Sequence, residues 1–140
     1  MEWFVNLYDF GEGALDFSLL ILRIILAWVF WVHAWHKSFG KQGFRGSGDR
    51  FKFHKIPCPY LMAYFVSTSQ LIGAPLILFG FLTRIVSLLF MFQMIVGAIC
   101  KYKEDKWFNG ADFPLALTGI FFVLFFLGAG TYSFDNFWVN

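Results

Sequence analysis

Charge is scarce in this chain. Asp, Glu, Lys and Arg make up 14% of its 140 residues, against about a quarter in ordinary soluble domains. Apolar residues reach 59% and aromatic ones 23%, with 21 phenylalanines. So many apolar side chains cannot all be hidden inside a soluble body of this size. Soluble helices also keep a polar face, whereas FPLALTGIFFVLFFLGAG, from Phe113 to Gly130, is apolar all round. A soluble bundle is thereby excluded. Cysteine is scarcer still: Cys58 and Cys100 form neither a CxxC pair nor a disulfide framework. There is no haem-ligand pair and no glycine-rich nucleotide fingerprint, so the sequence encodes no redox group of its own. The opening MEWFVNLYDFGEGALD is acidic and lacks the basic stretch of a cleavable secretory signal.

What is present is a set of long apolar runs. Crossing about 30 Å of hydrocarbon takes roughly 20 residues, and four segments qualify or nearly so: about 17–36, 60–82, 85–100 and 113–129. The expected fold is all-α, a four-helix transmembrane bundle forming one domain over 1–140. Only Thr83 and Arg84 separate the second and third runs, which predicts a tight antiparallel hairpin. The third and fourth runs are short, and Pro75 should kink the second by freeing the carbonyl of Leu71.

Sorting the charges predicts orientation. Lys37, Lys41, Arg45, Arg50, Lys52, Lys55, Lys101, Lys103 and Lys106 fall in two loops that share one side. Arg23 and Arg84 lie toward the other side, with Glu2, Asp9, Glu12, Asp16 and Asp135. Basic residues favour the cytoplasmic face, so loops 37–59 and 101–112 are expected there and the termini outside, in a bacterial-type inner membrane. The first loop mixes Phe39, Phe44, Phe51 and Phe53 with basic residues. Beside a membrane, that mixture predicts contact with anionic phospholipids rather than nucleic acid. Its glycines argue against a long regular helix through its middle.

Polar residues inside the apolar runs are informative, because lipid offers them no partners. Arg23 can snorkel outward, toward Asp16 two turns away, or anchor an anionic group or partner subunit. Gln70 and Gln93 sit near the middle of antiparallel neighbours and can hydrogen-bond at equal depth, or bind a quinone carbonyl. Ser67, Thr68 and Ser69 are expected to bond back to their own helix.

The stretch VHAWHK, Val32 to Lys37, ends the first run. His33 and His36 share one helix face, so they cannot be the two axial ligands of one haem. A metal would need a third ligand from Cys58, Cys100, Asp112 or His54, and none has a ligand spacing; no metal is expected. Trp35, His36 and Lys37 suit a membrane interface, but His33 lies a turn deeper. It is expected in a polar pocket, its tautomer held by Asp112, with Lys37 and Lys101 at the pocket mouth to attract an anionic group, a quinone head or an acidic partner.

The run LLILRIILAWVFWVHAWHKSFG, with Arg23, His33, Lys37 and Gly40, resembles the opening of the DoxX family. The resemblance continues through IPCPYLMAYFVSTSQLIGAPLILFGFLTR, with its Gly80-to-Arg84 turn, and through Asp112, Phe113 and Pro114 to the closing GAGTYSFD. Three positions depart from the family pattern: Gln70 stands where glutamate is common, Lys101 where histidine is frequent, and Thr131 where arginine is usual. Loss of the buried carboxylate removes one proton acceptor. The resemblance implies kinship with the small membrane subunit of thiosulfate:quinone oxidoreductases and with membrane redox complexes. The expected role is an accessory, non-catalytic subunit of a redox or respiratory complex, binding other membrane subunits and contributing to a quinone-accessible site. Quinone and lipids are the expected ligands, with no covalent cofactor. The alternatives are an independent quinone-linked oxidoreductase and a small-molecule or lipid transporter using Arg23, Gln70 and Gln93.

Overall fold

The computed structural model describes residues 12–41, 43–105 and 110–139. Glu2, Asp9 and Lys106, counted in the charge sorting, lie outside the described residues, as does the side chain of Glu12. The elements are α1 (Glu12–Phe39), α2 (Gly43–Phe53), α3 (Pro59–Phe79), α4 (Thr83–Asp105), α5 (Asp112–Leu127) and α6 (Phe134–Val139). All secondary structure among the described residues is helical. Three helices, α1, α3 and α4, are long and apolar enough to cross a membrane, and α5 is a shorter apolar helix of 16 residues. The fold is an all-α membrane bundle.

Side-chain placement agrees with a lipid environment. Ile24, Ile25, Trp28, Phe65, Ile72, Ile85, Phe92, Phe122 and Phe126 all point outward. The core is narrow by comparison. Leu26 and Phe30 of α1, Ile77 of α3, Phe90 of α4 and Phe121 and Leu124 of α5 meet along the bundle axis. Phe30 stacks on Phe90 with centroids 4.7 Å apart, and Phe121 sets its edge against both, at 5.1 and 5.5 Å. Gly73 makes this possible, since a Cβ there would lie 2.5 Å from Phe90 Cζ. Helix α1 packs chiefly on α3, and α4 on α5.

The helix limits correct several expectations. Helix α4 has 23 residues and is not short: it continues past its apolar run because Lys101 and Glu104 pair at i and i+3. The loop between α1 and α3 does hold a helix, α2, of 11 residues. Its glycines act in packing: a Cβ on Gly48 would lie 2.2 Å from the ring of Tyr60, so glycine lets α2 lie flat on α3. Helix α6 was not expected. The α3–α4 hairpin is tight as expected, but its turn is Gly80, Phe81 and Leu82: Thr83 and Arg84, expected to separate the two helices, open α4. Gly80, at φ 68°, closes α3 with N–H bonds from Gly80 to Ile77 and from Phe81 to Leu76.

Two ends of the bundle result. The terminal end holds the start of α1, the α3–α4 turn and the segment from Gly128 onward. The loop end holds α2, the last turns of α1 and α4, and the first turns of α3 and α5.

Candidate functional site

At the terminal end, Arg23 is fully buried, at 0% exposure. Its Nη2 donates to the Tyr132 carbonyl, and it faces the charge of Asp135. Asp135 accepts from the N–H groups of Leu82, at 2.7 Å, and Thr83, at 2.8 Å, capping α4. The expected Arg23–Asp16 approach does not occur. Asp16 instead accepts from the Thr131 N–H at 3.0 Å and hydroxyl at 2.7 Å, so Thr131 fastens the C-terminal segment to α1. Gly80 lies so close that a Cβ there would be 2.1 Å from Arg23 Nη1. This end is a clasp closely packed around Arg23.

The loop end encloses a cavity of about 380 Å³, within the range of about 300–1,000 Å³ usual for small-molecule sites. Phe30, Val66, Met94 and Leu117 form an apolar floor. Lys37 enters from α1 and donates from Nζ to Gln70 Oε1 at 3.3 Å. Gln70 Nε2 donates to Gln93 Oε1 at 3.1 Å, Gln93 Nε2 to Ser69 Oγ at 2.7 Å, and Ser69 Oγ to the Val66 carbonyl at 2.9 Å. The two amides meet between antiparallel helices, as their equal depth requires. They belong to a longer chain of donors that starts at a lysine ammonium.

His33 also lines this cavity, but Asp112 does not hold it. His33 Nδ1 donates to the Val29 carbonyl one turn back at 2.9 Å, and its ring stacks on Phe113 at 5.9 Å. Asp112 is exposed in the first turn of α5, where the positive end of the helix dipole favours a carboxylate. Phe113, one residue on, is what faces the imidazole. With Nδ1 donating, neutral His33 keeps Nε2 as a proton-accepting atom.

Lys101 lines the cavity as well, but its ammonium is engaged by Glu104 Oε2 at 3.0 Å. Glu104 was not singled out in the sequence, yet it is the hub of this end. Its Oε1 accepts from His54 Nε2 at 2.9 Å and lies 3.8 Å from Arg50 Nε. Arg50 on α2 and His54 just beyond it are thus tied to α4 across the cavity mouth. Only the fold of the basic loop back over the bundle brings these groups together. Ser69 bonds back to its own helix as expected, whereas the Ser67 hydroxyl, lining the cavity, is buried without a partner.

Counting the lining, Lys37, Arg50 and Lys101 stand against Glu104, an excess of positive charge, with Lys37 half-buried and the Arg50 side chain exposed at the mouth. Cys100 is the thiol in this lining, half-buried and free, and Cys58 is exposed and free elsewhere. Among the described residues, no three His, Cys, Asp or Glu side chains are grouped closely enough to hold a metal ion.

The sequence profile of the DoxX family matches residues 18–102, which run from the first turns of α1 nearly to the end of α4. The chain belongs to the DoxX family. Among its relatives is a Bacillus subtilis protein named "Putative oxidoreductase CatD", 38% identical over 112 residues, covering 78% of this chain and 79% of that protein. A Haemophilus influenzae protein of no stated activity is 35% identical over 131 residues, covering 90% and 84%. The "Inner membrane protein YphA" of Escherichia coli is 28% identical over 137 residues, covering 92% and 95%. No solved structure matches the chain. The DoxX match includes His33, Lys37, Gln70, Gln93 and Lys101, whereas Glu104, Asp112 and the C-terminal half of the clasp lie beyond it.

Proposed function

We propose that this DoxX protein is an accessory membrane subunit of a redox complex, and that its loop-end cavity receives a quinone-class head group. The observation that carries the reading is the pairing of opposite hydrogen-bonding roles over an apolar floor. Lys37 Nζ is a donor and His33 Nε2 an acceptor, both on one face of α1 one turn apart. A quinone carbonyl accepts from the first, and a quinol hydroxyl donates to the second, while the floor covers the ring. The relative named as an oxidoreductase supports redox work in the family. An accessory role follows from the chemistry in the lining, which offers binding groups and one thiol but no encoded redox centre; electrons then come from a partner subunit.

Orientation belongs to the same proposal. Loops 37–59 and 101–112 face the cytoplasm of a bacterial-type inner membrane, where α2 meets anionic headgroups. A membrane-impermeant maleimide added to intact cells then leaves Cys58 unlabelled; labelling from outside reverses the orientation.

The binding test uses purified full-length protein and decylubiquinone, titrated in an uncharged detergent. Saturable one-to-one binding is expected, weakened about tenfold by His33→Phe and unchanged by His36→Phe, since tenfold corresponds to one hydrogen bond of about 1.4 kcal/mol. Absence of binding, or equal effects of the two substitutions, overturns the reading.

A further inference from the structure

Two polar groups in the loop-end cavity are left incomplete by the protein itself. The first is Lys37. Its ammonium has one hydrogen-bond acceptor, the neutral amide oxygen of Gln70. Among the described residues no carboxylate lies within ion-pair distance of it, because Glu104, the carboxylate in the lining, is bonded to His54 and Lys101 and lies near Arg50. The second is Ser67, 1% exposed, whose hydroxyl has no partner at all. Ser67 precedes Gln70 by three residues on α3, so the two share a face one turn apart. Gln70 in turn holds Lys37. The bare hydroxyl and the uncompensated ammonium therefore both line the same cavity, linked through Gln70 and one turn of α3.

Even a half-buried cation without a counter-ion is costly, and so is a buried hydroxyl without a partner. Arg23, the fully buried cation at the other end, has the Tyr132 carbonyl as acceptor and faces the charge of Asp135, although its Nε and Nη1 have no hydrogen-bond partner. Lys37 has no such provision, and it opens on a cavity.

We infer that the cavity holds an amphipathic anion, its ionised carboxylate seated between Lys37 and Ser67 and its apolar body on the Phe30–Val66–Met94–Leu117 floor. One ionised oxygen group answers both incomplete residues: it accepts from the ammonium in a charge-assisted bond and from the hydroxyl in an ordinary one. The apolar floor disfavours an inorganic oxyanion, which would need donors on every side. The inference rests on reading this cavity as the ligand site, and it adds the charge of the occupant. A small ring acid and a lipid carboxylate share this chemistry.

The test is calorimetric titration of the full-length protein in an uncharged detergent with two matched pairs: 2-naphthoate against 2-naphthamide, and dodecanoate against dodecanamide. The carboxylate of at least one pair should bind about tenfold or more tightly than its amide, the factor expected of a charge-assisted hydrogen bond. A preference in the naphthyl pair assigns the site to ring acids; one confined to the dodecyl pair assigns it to membrane lipid. Lys37→Gln should erase the preference. Ser67→Ala, a smaller change that leaves packing intact, should weaken the carboxylate about fivefold. Equal binding of acid and amide in both pairs, or a preference that survives Lys37→Gln, overturns the inference. Decylubiquinone binding without any carboxylate preference overturns it while leaving the quinone reading standing. A carboxylate preference without quinone binding does the reverse.

Discussion

The two ends of the bundle solve the same problem in opposite ways. Each draws a cation of α1 into the bundle, Arg23 fully buried and Lys37 half-buried. At the terminal end, Arg23 is wedged against Gly80, bonded to the Tyr132 carbonyl, and faced by the Asp135 carboxylate that also caps α4. At the loop end, Lys37 has one amide oxygen and a cavity of about 380 Å³ beside it. Arg23, facing a carboxylate of its own chain, fastens its end, whereas Lys37, on the reading proposed above, is left open to receive a ligand.

Glycine substitutions at the two ends should break this comparison most sharply. Gly80→Ala adds a methyl 2.1 Å from Arg23 Nη1 at a left-handed position, and should cost roughly 2–4 kcal/mol through clash and backbone strain. Gly97→Ala, at the cavity, meets nothing nearer than Pro114 Cβ at 3.9 Å. It should be neutral or stabilise α4 by up to about 1 kcal/mol. Thermal unfolding of both variants in detergent decides, and equal losses would show that the loop end is as tightly filled as the clasp. Next in size, Asp135→Ala removes the cap of α4 and the countercharge of Arg23. A loss of about 1–2 kcal/mol is expected, together with faster proteolytic release of the segment after Gly128. Gln70→Leu breaks the donor chain between α3 and α4 and should cost about 1 kcal/mol in the same melts, the scale of interhelical hydrogen bonds in membranes. The smallest stability effect belongs to Glu104→Gln, below about 1 kcal/mol, because its ion pairs are partly exposed. Its signature is kinetic: with Arg50 and His54 released from α4, Cys100 should react several-fold faster with a membrane-permeant maleimide, while the rate at Cys58 stays unchanged.

How much of this was legible in the sequence follows the range of the interactions. Apolar runs are local, so the long helices and the presence of a tight α3–α4 turn could be read directly, while the turn itself lies at residues 80–82 rather than at Thr83 and Arg84. Equal depth on antiparallel neighbours was enough to bring Gln70 to Gln93. Helix ends were misjudged where polar contacts extend the helix beyond lipid, as Lys101 and Glu104 do for α4. The partner of His33 was missed by a single residue: Asp112 and Phe113 are neighbours in sequence, yet they point about 100° apart around a helix of 3.6 residues per turn. Glu104 stood in plain view in KYKED, but its importance comes from Arg50 and His54, some fifty residues away, folding over it. Nothing local announces such a hub. Ser67 looked like Ser69, and only the packed structure shows that one hydroxyl is bonded and the other is not.

The ring cluster at the centre of the bundle has a consequence for traffic. Phe30, Phe90 and Phe121 are each 3% exposed or less and lie in mutual contact across the axis. They act as a bulkhead. The floor of the loop-end cavity is the upper side of that wall, since Phe30 belongs to both. A molecule that enters the cavity meets a dead end, and it leaves by the door it came through or sideways into lipid. On the reading proposed above, a ligand of this cavity therefore exchanges at the loop end of the bundle.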